Sequence, residues 1–470
     1  MKRQLIWFRQ DLRIQDHAAL WHATQLGNTI AFVALSPEQW RKHHDAPIKI
    51  DFYLRQLTEL KHQLKSINIP LIIDIVPVWK DLPKHILKHC HTFNIENVHA
   101  NIECGVNELN RDFQVQKLLN QQSRDLVLYH DRSIFPVGSI RNKSNQPYQV
   151  FSAFKKYCYE QLSISIPKSY PTPEPQAFLD IEIEDKIPSL QQLDFNEPQL
   201  SQQWQVSESH AHSLLEHFIE NQVTTYQTTR DFPHLDATSQ LSPYLNLGIL
   251  SIRHCLNALF RTQQGHFHID NLGQQIWLDE LLWREFYQQI LFDFPQVSKN
   301  LPFKINMQKI QWRDAPEDLK AWQYGKTGIP IVDAGIRQML QTGWMHNRVR
   351  MIVAMFLCKN LLIDWRLGEQ WFMQHLIDGD LAANNGGWQW CASTGTDAVP
   401  YFRIFNPISQ SKKFDENGDY LRKWLPEIAH LDAKNIHEPY AKNPDLQLDY
   451  PHPIVDLKMS RVRAIEAFKQ

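Results

Sequence analysis

The chain has 470 residues, 43% of them hydrophobic and 21% charged, which predicts a globular protein of two or three domains and excludes a disordered one. Lys and Arg (49) nearly balance Asp and Glu (51) for a net charge of -2, so global charge signals no strongly basic nucleic-acid binder and only a local patch can serve that role. Six scattered cysteines (90, 104, 158, 255, 358 and 391) form no CxxC pair, and neither a signal-peptide apolar run nor about 18 consecutive apolar residues occurs, so the reading is cytosolic, without structural disulfides, metal site or membrane span.

Residues 1–130 alternate. LIWF (5–8), TIAFVAL (29–35), PLIIDIV (70–76), NVHA (97–100) and DLVLY (125–129) read as short buried strands. Helical patterns lie between them, clearest over 48–67 and 107–121. The alternation predicts an α/β domain, a doubly wound, Rossmann-like parallel sheet. No GxGxxG follows the first strand, so an ordinary dinucleotide site is not supported. Residues 131–203 read as a long irregular connector; 167–175, PKSYPTPEP, holds four prolines. From 204 to 470 the pattern is all-α, with helices expected at 210–222, 249–263, 272–292, 331–342, 345–363 and 369–377.

Four stretches of the helical half have chemical potential. TSQLSPYL (238–245) places hydroxyls and an amide before a helix, which suits either an ordinary N-cap or a phosphate. In WLDELLWREFY (277–287), Glu280, Trp283, Arg284 and Tyr287 stand at i, i+3, i+4 and i+7. They share one helix side, either as a solvated ion pair or as a wall for a planar polar ligand. WMHNRVRM (344–351) lies in a stretch, 335–363, with four basic residues and no acidic one. Arg348 and Arg350 point to different sides, and an inward arginine needs a carboxylate, Asp378 or Asp380.

The fourth stretch, DGDLAANNGGWQW (378–390), reads as a break between two helices. Its aspartates could be a glycosidase acid pair or hold a divalent metal. Neither option uses the two asparagines. A redox ligand would, since charge arriving on it calls for amide dipoles and a nearby arginine, and Gly386 and Gly387 let backbone approach a flat ring. The 15 tryptophans default to core filling; the open question is whether a subset does more.

These stretches, together with WFRQDLRIQDHAAL (7–20), RDFP (230–233), GKTGIPIVDAGIRQMLQTGWMHNRVRM (325–351), DWRLGEQWF (364–372) and DGDLAANNGGWQWCASTGTD (378–397), resemble the class I cyclobutane pyrimidine dimer DNA photolyases of the photolyase/cryptochrome flavoproteins. The resemblance spans essentially the whole chain. It implies an antenna domain, a linker and a helical domain holding FAD. Thr238, Ser239, Gln240, Leu241 and Ser242 match the diphosphate site, with Tyr226 nearby. Trp277, Glu280, Arg284, Trp344, Asn347, Arg350, Asp378, Asp380 and Asn384 match other flavin-pocket positions. By resemblance Arg350 pairs with Asp378 beside the ring, Asp380 faces its N3/C4 edge, and Asn384 stands near N5, where an amide stabilises reduced flavin. Trp388, Trp365 and Trp312 match the electron-relay triad, and Trp390 and Trp283 the pair sandwiching the flipped lesion.

The resemblance also implies dimer contacts from Glu280, Asn347 and Met351, and phosphate contacts from Arg230, Arg348, Arg403 and Lys412, with Arg284 on the lesion side. It implies DNA carrying cyclobutane dimers as the partner, and a cytoplasmic, nucleoid-associated monomer with no obligate protein partner. His43, Asn107, Glu108 and Lys299 match the site of a 5,10-methenyltetrahydrofolate antenna, favoured over a deazaflavin, although Cys104 and Gly105 depart from the expected pattern. A cryptochrome photosensor and a (6-4) photolyase share most motifs. Asn384 argues against the first, where Asp or Cys is common. Asn347 and Met351 argue against the second, which carries lesion-side histidines. A tryptophan-rich glycoside hydrolase would show no visible absorbance.

Overall fold

The structure is a computed structural model describing residues 3–198, 201–398 and 403–469. Residues 199–200 of the expected connector, and 399–402 and 470 of the expected helical domain, lie outside that description. By internal contacts the chain forms two units, Met1–Thr224 with Ser239–Ser298 and Thr225–Thr238 with Lys299–Gln470.

The first unit is built on five strands, β1 (Arg3–Phe8), β2 (Asn28–Leu35), β3 (Leu71–Ile75), β4 (Ile95–Asn101) and β5 (Asp125–Tyr129). All pairings are parallel, in the order β3-β2-β1-β4-β5. The order reverses between β1 and β4, the topological switch point where such sheets open a crevice at their carboxyl ends. Strands β1 and β2 are nearly continuous apolar runs because helices cover both faces.

The connector is less irregular than its sequence predicts. Phe151–Ile164 is a helix burying Phe151, Phe154, Cys158 and Leu162. Its apolar stripe is spaced by three, four and four residues and interrupted by lysines, so it does not stand out beside the prolines that follow. Lys155 and Tyr159 bond to Asp279 at 2.9 and 2.8 Å, fixing this helix to the helix Leu272–Asp293. Asp131 accepts from Arg13 and Arg253 at 2.7 and 2.6 Å. Burial alone would raise its pKa, but the two guanidiniums outweigh burial and hold the carboxyl far below the usual range.

The second unit is helical. Its core joins Trp322, Met339, Val353, Phe356, Trp365, Phe372 and Trp388. Two expectations fail in instructive ways. The pattern 345–363 is not one regular helix: Asn347–Met355 is α-helical, and Phe356–Leu361 widens to π-helical turns ending at Leu362, φ 53°. Every residue of 356–361 is buried, Lys359 and Asn360 included, which leaves no periodic face to reveal the change. DGDLAANNGGWQW is not a break either. Leu381–Ala392 is a helix, capped by Asp380, whose carboxylate accepts from the Ala383 N–H at 2.9 Å. Asparagine and glycine are poor helix formers, but tertiary hydrogen bonds to Asn384 and Asn385 override propensity.

Candidate functional site

In the first unit the expected face of Leu272–Asp293 exists, and its four residues are half-buried. Arg284 donates to the Arg132 carbonyl at 2.7 Å and the Leu245 carbonyl at 3.4 Å. It is thus not a simple partner of Glu280; it anchors the short helix Ser242–Asn246. Trp283 stacks flat on Phe151, ring centres 3.7 Å apart and planes 9° off parallel. One face of Trp283 is therefore taken, and only the opposite face can receive a planar ligand. Trp277 is buried against Phe218. Before Ser242, Gln240 adopts φ 50°, a left-handed conformation that is uncommon for a residue other than glycine and is tolerated where function shapes a loop. Leu241 is buried, Ser239 and Gln240 half-buried, and Ser242 exposed.

In the second unit Arg350 and Asp378 form the expected pair, Nη2 to the two carboxylate oxygens at 2.8 and 3.1 Å, while Nε donates to the Met345 carbonyl. Arg348 turns the other way, as two-residue spacing demands. It binds Asp231 at 2.8 Å and lies over the Phe414 ring. Arg230 approaches the same carboxylate at 3.7 Å and lies over Tyr226. Asp231 is the counter-ion that sequence reading missed; it sits one residue after Arg230, and adjacency alone gave no reason to single it out. Thr238, Trp344 and Met351 are half-buried, and Asn347, Arg403 and Lys412 exposed.

Asn384 is fixed by its side-chain amide, which donates to the Glu369 carbonyl at 3.0 Å. Its own carbonyl oxygen has no hydrogen-bond partner among the described residues. Next to it, Asn385 donates to the Glu369 carboxyl, Gln389 donates to Asn385, and the Phe303 N–H donates to Gln389. Burial pushes the Glu369 carboxyl up to about 7. Asn385 and Gln389 belong to the motif already quoted, at the i, i+4 spacing of helix neighbours. Glu369 had no sequence signal tying it to them.

Trp388 and Trp365 are buried in the core cluster, and Trp312 is half-buried against it. Trp388 meets Phe372 edge-on at 4.9 Å and Trp322 at 6.0 Å. Gly368 admits the Trp388 ring; a Cβ there would collide with it. Trp390 is half-buried on the same cluster. On the same helix, a Cβ added at Gly387 would meet nothing.

The expected antenna residues His43, Asn107 and Glu108 come together in the first unit. His43 Nε2 lies 3.1 Å from the Asn107 amide and 2.9 Å from that of Gln39, and its Nδ1 is 3.9 Å from Glu108. Burial, with the Glu103 charge, pushes Glu108 up to about 7. This carboxyl folds back over Gly105 into the space a side chain there would take. Lys299 is an exposed residue of the second unit. The crevice at the sheet switch point is largely filled. Arg9 and Arg111 lie 4.7 and 4.8 Å from the Trp7 ring centre, and Arg111 lies 4.5 Å from that of Trp79. Glu103 and Asp112 pair with these arginines. A cavity of about 60 Å³ is left among them, and a larger one of about 620 Å³ lies beside it, lined by Gln39, Trp79, Asn107, Arg111 and Gln114.

Among the described residues no group of three His, Cys, Asp or Glu could hold a metal, and no helix is long and apolar enough to cross a membrane. The family model for DNA photolyase matches residues 4–176, and that for the FAD binding domain of DNA photolyase matches 277–470. The chain belongs to the DNA photolyase family. Photolyase relatives named deoxyribodipyrimidine photo-lyase include those of Vibrio cholerae, 40% identical over 99% of each chain, and Escherichia coli, 40% identical over 100% of this chain and 99% of that protein. Among solved structures, a class III photolyase from Agrobacterium tumefaciens superposes with TM-score 0.86 at 32% identity, covering 100% of this chain and 97% of the other. A Synechocystis cryptochrome superposes with TM-score 0.87 at 27% identity over 99% of each.

Proposed function

We propose that this photolyase-family chain repairs cyclobutane pyrimidine dimers in DNA with light, in the cytoplasm, as a monomer with bound FAD. The fixed Asn384 amide carries the reading. One of its two N–H groups is held by the Glu369 carbonyl, which fixes the amide's orientation and leaves its carbonyl oxygen as an acceptor for the N–H that a flavin gains at N5 on reduction. The donor set fits a flavin in other respects. Arg350 supplies positive charge, Asp378 fixes its direction, and the open helix face at Gly387 leaves room for a flat ring. Thr238, Ser239, Gln240, Leu241 and Ser242 would hold its diphosphate, with Tyr226 beside them. Trp277, Glu280, Arg284, Trp344, Asn347 and Asp380 would complete the pocket.

Reduced FAD, when bound, supplies the photo-excited electron that opens the cyclobutane ring. The chain's own residues position the substrate. Arg230, Arg348, Arg403 and Lys412 would take phosphates, with the first two exchanging Asp231 for DNA. The free face of Trp283, with Trp390, would receive the flipped dimer, whose broken pairing makes extrusion cheap. Glu280, Asn347 and Met351 would contact it. Trp388, Trp365 and Trp312 would carry electrons inward to re-reduce an oxidised cofactor. We further propose a methenyltetrahydrofolate antenna on His43, Asn107 and Glu108, with Lys299. Folate is favoured over a deazaflavin because His43, Asn107 and Glu108 match the positions of the folate-type members.

The relay and the repair site separate in one variant. Trp388→Phe should photoreduce oxidised FAD at least tenfold more slowly than wild type with an external donor, while the pre-reduced variant repairs nearly normally. Equal photoreduction rates would remove Trp388 from the relay.

A further inference from the structure

Lys359 lies within the π-helical segment Phe356–Leu361 and is completely buried, 0% exposed. A lysine in such a place is ordinarily paired with a carboxylate. Lys359 has none among the described residues. Its Nζ donates to Ser393 Oγ at 2.8 Å and to the Ala392 carbonyl at 3.4 Å, and it stands 3.4 Å from the centre of the Phe468 ring. Phe468 in turn meets Trp312 edge-on, ring centres 5.9 Å apart. The nitrogen is therefore within about 9 Å of the ring centre of Trp312, which is half-buried, a range over which a unit charge still acts.

We propose that Lys359 is a positioning residue of the tryptophan relay, its charge setting how long an electron vacancy survives on Trp312. The inference rests on the relay reading above. In that reading Trp388 would give one electron to the bound, oxidised cofactor in the light. Trp365 refills Trp388, and Trp312 refills Trp365. The vacancy on Trp312 ends when an external thiol supplies an electron or the displaced electron returns. A protonated Lys359 repels the positive vacancy and favours return, whereas a neutral amine leaves it in place longer.

The surroundings put that choice near neutral pH. Burial pushes Lys359 down to about 7. Cys358 on its own segment and Cys391 on Leu381–Ala392 are raised by burial, the latter to about 12, so neither is charged there. Lys304 adds positive charge that also lowers Lys359. Asp364 acts on neighbouring Cys358. From the C-terminal helix Leu457–Phe468, Arg463 donates to the Asn360 carbonyl. Arg313, beside Trp312, is held by Asp318.

Flash photolysis of the oxidised flavoprotein, without added reductant, reads the tryptophan radical directly. The wild-type radical should decay about tenfold faster a unit below neutrality than a unit above it. Lys359→Met should abolish the step, and Ser393→Ala, which keeps the lysine but removes its acceptor, should move the step to lower pH. An unchanged step in Lys359→Met, or no step in wild type, overturns the proposal. If Trp312→Phe gives the same radical signal as wild type, the relay reading itself fails. A second readout needs no cofactor. Wild type should gain stability relative to Lys359→Met as pH rises from about 7 to 10.5, because the unfolded chain then holds the lysine proton that the folded chain has lost. A difference that does not vary with pH would show that Lys359 is charged in the fold and contradict the mechanism.

Discussion

Glu369 shows how one residue can serve two neighbours. Its backbone carbonyl aims Asn384, and its buried carboxyl begins the chain through Asn385 and Gln389. The carboxyl is raised by burial from 4.5 to about 7. Its folded form therefore holds a proton that the unfolded form loses between those values. Stability from this group is full below about pH 4.5 and is lost as pH rises toward 7. Glu369→Gln keeps an acceptor for Asn385 without the titration. Chemical denaturation should show the variant gaining on wild type by up to about 3 kcal/mol between those pH values. A pH-independent difference would mean that the carboxyl is ionised throughout.

At the scale of elements, the decisive packing is Trp365–His375 against Leu381–Ala392. Gly368 lets the Trp388 indole lie on the backbone of the first helix, where any Cβ would strike it. Gly368→Ala should cost about 1–3 kcal/mol by overpacking and slow flavin photoreduction more than repair. Unchanged stability and photoreduction would show that the indole can move away freely. What sequence revealed here follows physical lines. Strands such as TIAFVAL and helices such as 272–292 were legible because burial imposes period and run length. That an inward guanidinium needs a carboxylate was legible, with Asp378 or Asp380 as its partner; the choice of Arg350 and Asp378 came from the resemblance. The helix at 381–392 was not, because two asparagines and two glycines argue locally for a turn and only partners distant in sequence, Glu369 above all, reverse that. The helix at Phe151–Ile164 was hidden beside a proline-rich stretch. The site residues matched by resemblance, such as His43 or Trp312, carry no local pattern of their own.

Over the whole molecule, a net charge of -2 leaves DNA affinity to a few arginines and lysines. On the proposed reading Arg348 and Arg230, which lie on Asp231 in this structure, would be two of them. Replacing Arg348 by Ala should weaken binding to damaged DNA and reduce the slope of log affinity against log salt by about 1. A slope equal to that of wild type would show that Arg348 keeps to Asp231 in the complex. The account as a whole turns on light-driven dimer repair. The most direct measurement mixes reduced, FAD-loaded protein with oligothymidylate carrying cyclobutane dimers and follows recovery of base absorbance in darkness and in blue light. Recovery only in the light is the predicted result. No recovery in either condition, with FAD demonstrably bound and reduced, would contradict it.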